Sequence, residues 1–117
     1  MAKFKFILWF AYWYLQAEDF AFEWDKGNSS KSLKKHGINC DEVESVFDHK
    51  LAAPIGSQYS PEVEEERLCL LGPSNQGQLL SIVFTLRDGR IRPISCRVTN
   101  KKERLLYEKV RKTLERI

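Results

Sequence analysis

The chain is poor in the residues that staple or arm many small enzymes: its 117 residues include three cysteines and two histidines. Cys40, Cys69 and Cys96 are odd in number, widely spaced and without a Cys-x-x-Cys pair. That excludes a disulfide framework and a structural zinc site, and fits a reduced, cytoplasmic compartment. There is no glycine-rich phosphate loop, no His-Glu-x-x-His and no serine in a nucleophile-elbow context, so the common cofactor enzymes are excluded and no cofactor or metal is expected. The apolar run at residues 6–15 spans ten residues. It is too short to cross a bilayer, and no membrane association is expected.

What is present is charge, unevenly spread. The formal net charge is only +3, yet from Arg87 onward there are eleven Lys or Arg against four Asp or Glu. Such an imbalance marks a docking surface for something acidic, either nucleic acid or an acidic partner segment. A merely solvated basic helix is the plainer alternative. The length is that of one small domain able to bury a core unaided.

Residues 1–19 stand apart as an apolar, aromatic extension behind Lys3 and Lys5. The extension reads as an extra edge strand, a leader ahead of a later true start, or a short secretory signal ending near Ala17. Residues 20–117 form the domain proper. Phe20, Phe22 and Trp24 alternate with Ala21, Glu23 and Asp25, the pattern of a half-buried strand. A short basic helix follows, with Lys31, Lys34 and Lys35, and ends at Gly37 with His36 in its last turn. Asn39 and Glu42 make a capping box, stapled by Ile38 and Val43, that starts a helix near Cys40 with the stripe Val43, Val46 and Phe47.

Residues 51–59 read as an edge strand interrupted by Pro54 and Gly56. An acidic loop through Glu62, Glu64, Glu65 and Glu66 follows. Strands at 67–72 and 78–86 flank a turn at 73–77. Asn100 and Glu103 cap a final helix whose seam is Leu106, Val110, Leu114 and Ile117, with Lys101, Lys102, Arg104, Lys109, Arg111, Lys112 and Arg116 on the rest of its surface. The pattern predicts an α+β fold, a small, mostly antiparallel sheet packed against short N-terminal helices and a C-terminal helix.

The strongest strand signal lies in residues 83–99, VFTLRDGRIRPISCRVT. If Asp88 and Gly89 close a two-residue turn, Leu86 faces Ile91, Thr85 faces Arg92 and Val83 faces Ile94, and Arg87, Arg90 and Arg92 share one face. Three guanidinium groups together suit a solvated surface or a polyanion. Simple alternation sends Arg97 to the opposite face, so it joins the others only through a bulge near Pro93 or by reaching around from the strand's end.

This inventory suits metal-independent RNA cleavage. In that reaction a 2′-hydroxyl attacks the adjacent phosphate, a base takes its proton, an acid protonates the leaving 5′-oxygen, and arginines stabilise the developing charge. His36 is a candidate acid or base with Lys35 beside it, and Glu66 is a second candidate base whose plainer reading is an ion pair with Arg67. Lys34, Lys35, Arg87, Lys101, Lys102 and Arg104 are candidates for holding the RNA. The same composition fits passive, salt-sensitive binding of nucleic acid or an acidic protein.

Seven segments, in order, carry a family resemblance: FEWD at 22–25, KKHG at 34–37, DEVESVF at 41–47, EER at 65–67, VFT at 83–85, RIRPISCR at 90–97 and KKERLLYE at 101–108. From about residue 20 to residue 107 the chain resembles the BrnT toxin family. The resemblance implies a RelE-like fold and a type II toxin that cleaves RNA and blocks translation. It also implies a cognate BrnA-like antitoxin that binds the toxin and represses their operon, so that operon DNA is reached only through the antitoxin. It shifts the phosphate-binding role to Arg90, Arg92 and Arg97. Pro93 and Cys96 stand where the family has Ile and Ala, and Val98 and Thr99 where Lys-Ala is common. An inactive relic that still binds antitoxin is a third, weaker alternative consistent with Pro93.

Overall fold

The computed structural model describes residues 14, 16, 20–25, 28, 37–48, 51–60 and 65–115, with backbone alone at 56–60, 65–66 and 114–115. The basic helix read before Gly37, and with it Lys34, Lys35 and His36, lies outside the described residues, as does nearly all of 1–19. Six elements follow one another: α1 (Cys40–Asp48), β1 (Ala53–Ser60), β2 (Glu65–Pro73), β3 (Leu79–Arg87), β4 (Arg90–Val98) and α2 (Lys101–Glu115). The four strands form an antiparallel sheet in the order β1-β2-β3-β4, with β1 at an edge as its Pro54 and Gly56 predict. This is the α+β architecture expected from the sequence.

Alternation makes one sheet face the core. Leu80, Ile82 and Phe84 of β3 are fully buried, and Ile82 and Phe84 pair with the buried Leu70 and Leu68 of β2. Helix α1 lays Val43, Val46 and Phe47 on this face. The Phe47 ring meets Phe84 at 5.2 Å, Phe22 at 5.4 Å, Phe20 at 6.1 Å and Tyr14 at 6.4 Å between centroids. Gly72 admits the helix: a Cβ there would lie 2.7 Å from Val46 Cγ1 and from Ala52 Cβ.

Only half of the first capping box forms. Asn39 Oδ1 accepts the Glu42 amide at 2.9 Å, and the staple residues Ile38 and Val43 are buried. Glu42 itself turns inward, because a buried carboxylate needs donors and the β2–β3 turn supplies one. The Ser74 hydroxyl donates to Glu42 Oε2 at 2.7 Å and itself accepts the amides of Gln76 and Gln78.

Three expectations change in the fold. The acidic loop is shorter than read, since Glu65 and Glu66 pair with Ser60 and Tyr59 in the β1–β2 ladder, which rests on backbone groups and needs no apolar side chain. The seam of α2 does not run through Leu106, which is 40% exposed. The Tyr107 hydroxyl donates to the Leu51 carbonyl at 2.7 Å, so the helix instead half-buries Glu103, Tyr107, Val110 and Arg111. The side chains of Leu114 and Ile117 lie outside the described residues.

The third change concerns residues 20–25, which make one parallel bridge, Phe22 with Ile91, rather than a strand. The Glu23 amide donates to Ile91 O and the Ile91 amide to Ala21 O, both at 2.8 Å. The next residue of β4 facing that edge is Pro93, which has no N–H to continue the ladder. Its carbonyl is taken by the Asn28 side-chain amide at 2.9 Å.

Candidate functional site

The β3–β4 hairpin is built from a turn that only certain residues tolerate. Asp88 and Gly89 both have positive φ, 52° and 76°, as a two-residue turn matching the strand twist requires. The register begins as expected: Arg87 pairs with Arg90, Leu86 with Ile91 and Thr85 with Arg92. Pro93 then falls opposite Phe84, at a pair that exchanges no backbone bonds, so its missing N–H costs the β3 ladder nothing.

Beyond Pro93 the register shifts. Val83 pairs with Ser95 and not with Ile94, which corrects the regular alternation, and Ile94 is the extra residue of a β-bulge. After the reset, Cys96 turns into the core opposite Ile82, and Arg97 stands opposite Ser81. Arg97 thereby returns to the face of Arg87, Arg90 and Arg92. The bulge beside Pro93 unites the arginines that simple alternation divides.

Carboxylates pair with three of these arginines. Arg92 Nη1 donates to Asp25 Oδ2 at 2.8 Å and to Glu23 Oε1 at 3.1 Å, and Nη2 donates to Asp25 Oδ1 at 3.3 Å. The Arg92 side chain is left 13% exposed. Arg87 Nη1 lies 3.7 Å from the same Glu23 oxygen. Arg97 grips Glu103 with both Nη atoms, at 2.6 and 2.8 Å. Arg90 is exposed and pairs with no carboxylate among the described residues.

Glu103 also completes the second capping box. It accepts the Asn100 amide at 3.0 Å while Asn100 Oδ1 accepts the Glu103 amide at 2.8 Å. The Arg97 hydrogen bonds, ahead of the opposing effect of burial, hold the Glu103 carboxyl below its ordinary 4.5. A depressed carboxyl contributes stability that is fully present above the ordinary value and is lost as pH falls through the depressed one. Arg97→Gln is therefore expected to move the Glu103 midpoint upward in an NMR pH titration; an unmoved midpoint would contradict the pairing.

The other candidates are more dispersed. Glu66 is in β2 opposite Tyr59, and its side chain lies outside the described residues. Lys101 and Lys102 are exposed on the first turn of α2, and Arg104 donates to Thr99 O at 2.9 Å. Burial pushes the Cys96 thiol up to about 12 and raises Cys69 and Cys40 as well, which leaves all three protonated and unsuited to act as nucleophiles. Glu23 and Asp25 were missed as site residues. The signal was available: in FEWD they are two apart, and an extended chain puts both on one face.

The model of the family described as "Ribonuclease toxin, BrnT, of type II toxin-antitoxin system" matches residues 24–103. No curated protein sequence matches the chain. Among solved structures, the 1.1 Å crystal structure of the Brucella abortus ribonuclease toxin BrnT is similar, with a TM-score of 0.51 and 17% identity over 71% of this chain and 100% of that one. The matched residues contain the arginine hairpin together with the Asp25 and Glu103 carboxylates that hold it. The chain belongs to the BrnT family of ribonuclease toxins of type II toxin–antitoxin systems.

Proposed function

We propose that this chain is an active, metal-independent endoribonuclease that works in the cytoplasm, inhibits translation and is neutralised by a BrnA-like antitoxin, with operon DNA reached only through that antitoxin. The observation that carries the reading is the bulge at Ile94, which sets Arg87, Arg90, Arg92 and Arg97 on one face. Arg90 meets the RNA phosphate first, since it is exposed and uncommitted. Arg92 and Arg97 join by exchanging a carboxylate for a phosphate oxygen, both being acceptors that suit a guanidinium fork. His36 serves as acid or base, Glu66 remains a second candidate base, and Lys34, Lys35, Lys101, Lys102 and Arg104 hold the flanking backbone.

Incubation of the purified protein with RNA in chelator is expected to release fragments ending in 2′,3′-cyclic phosphate. Arg90→Ala is expected to slow this by about 10²-fold with an unchanged melting midpoint, because the residue stabilises charge and is exposed. Intact RNA at near-equimolar protein would sink the reading. A second reading, a non-catalytic binder, is favoured by the prior engagement of Arg92 and Arg97 with carboxylates. It predicts salt-sensitive RNA retention without fragments.

A further inference from the structure

We infer that Glu23 is the general base of the cleavage reaction, a deepening that rests on the ribonuclease reading above. A base for this chemistry must reach the 2′-hydroxyl of the ribose whose 3′-phosphate the arginines hold. The carboxylate already lodged among those arginines is Glu23. Its Oε1 contacts Arg92 of β4 at 3.1 Å and Arg87 of β3 at 3.7 Å, and these are its ion pairs among the described residues.

The groups facing Glu23 are Arg87 from β3, Arg92 from β4 and Asp25 from its own segment, with Arg90 next along β4. The side chain is 32% exposed, open to a substrate, and its backbone is fixed by the bond from its amide to Ile91 O. Asp25 is different. It spans both Nη atoms of Arg92 and is a positioning residue.

The step balances. A phosphate oxygen takes the place of Glu23 Oε1 between Arg87 and Arg92, and the released carboxylate accepts the 2′-O–H proton as the 2′-oxygen bonds to phosphorus. The P–O5′ bond breaks, and the leaving 5′-oxygen takes a proton from solvent. The products are a 2′,3′-cyclic phosphate and a 5′-hydroxyl end, and Glu23 returns its proton to solvent.

The test is single-turnover cleavage, across pH, of an oligonucleotide with one ribonucleotide linkage, with the all-deoxy version as a binding probe. Glu23→Gln is expected to lower the rate about 10²- to 10⁴-fold. It should also remove the acidic limb of the pH profile while the all-deoxy probe binds within a few-fold of the unaltered protein. Asp25→Asn is expected to be slower yet to keep that limb. Glu23→Asp, which retains a carboxylate, is expected to keep the limb at reduced rate and guards against a folding defect in the amide variant. Cleavage by Glu23→Gln with the acidic limb intact overturns the inference alone, whereas intact RNA with the unaltered protein overturns it together with the ribonuclease reading.

Discussion

Arg92→Ala is expected to slow RNA cleavage by about 10²- to 10³-fold, the usual effect of removing one preorganised donor from a developing anion, and to destabilise the fold by about 1–3 kcal/mol. The two effects share one cause. Arg92 is the least exposed cation of the hairpin, and its guanidinium fork gathers two carboxylates that are far away in sequence but adjacent across the β4 edge. Without it, Glu23 and Asp25 lose the fork that bridges them, and the segment at 20–25 loses its bidentate tie to β4. Denaturant unfolding and single-turnover cleavage measured on the same preparation check both halves. Arg90→Ala is the control, expected to lose rate with stability intact. If Arg92→Ala unfolds at the same denaturant concentration as the unaltered protein, the clamp contributes nothing and Arg92 serves the substrate alone.

Phe47→Ala is expected to give the largest loss of stability, about 3–5 kcal/mol. The ring is completely buried and sits where helix α1, strand β3 and the 20–25 segment converge, with edge-on contacts to Phe84 and Phe22. Edge-to-face aromatic pairs add to the burial itself, and a cavity flanked by rigid rings collapses poorly. A lowering of the thermal midpoint by roughly 10–25 °C follows. Phe47→Leu, which keeps most of the volume, is expected to recover much of the loss. Equal losses in the two variants would mean that restoring volume does not help and that the edge-on ring contacts carry the whole effect.

The features legible in the sequence are those governed by local rules. Asp88-Gly89 announces its turn because few residue pairs accept two positive φ values, and Asn100 with Glu103 announces the start of α2 because both partners lie within four residues. Gly37 likewise takes a left-handed φ, 69°, while the basic helix read before it lies outside the described residues. The bulge obeys no such rule. Pro93 marks where it is tolerated, but whether Ile94 or a neighbour becomes the extra residue is decided by β3, which must keep Phe84 and Ile82 on the core face. The same holds for the carboxylate partners of Arg92, Asp25 being 67 residues away. For α2, a period of 3.6 placed Leu106 inward, but the bond from Tyr107 to Leu51 sets the roll of the helix.

Neither edge of the sheet offers an incoming strand an unbroken ladder. Exposed strand edges are templates for intermolecular strand addition. On the β4 side, Ala21, Glu23 and Asn28 occupy the hydrogen-bonding groups of Ile91 and the carbonyl of Pro93. On the β1 side, Pro54 withholds a donor and the irregularity between Pro54 and Gly56 breaks the even spacing an incoming strand would need. The proline that leaves the arginine face intact and the proline at the far edge thus have a common effect: neither offers an N–H to an added strand.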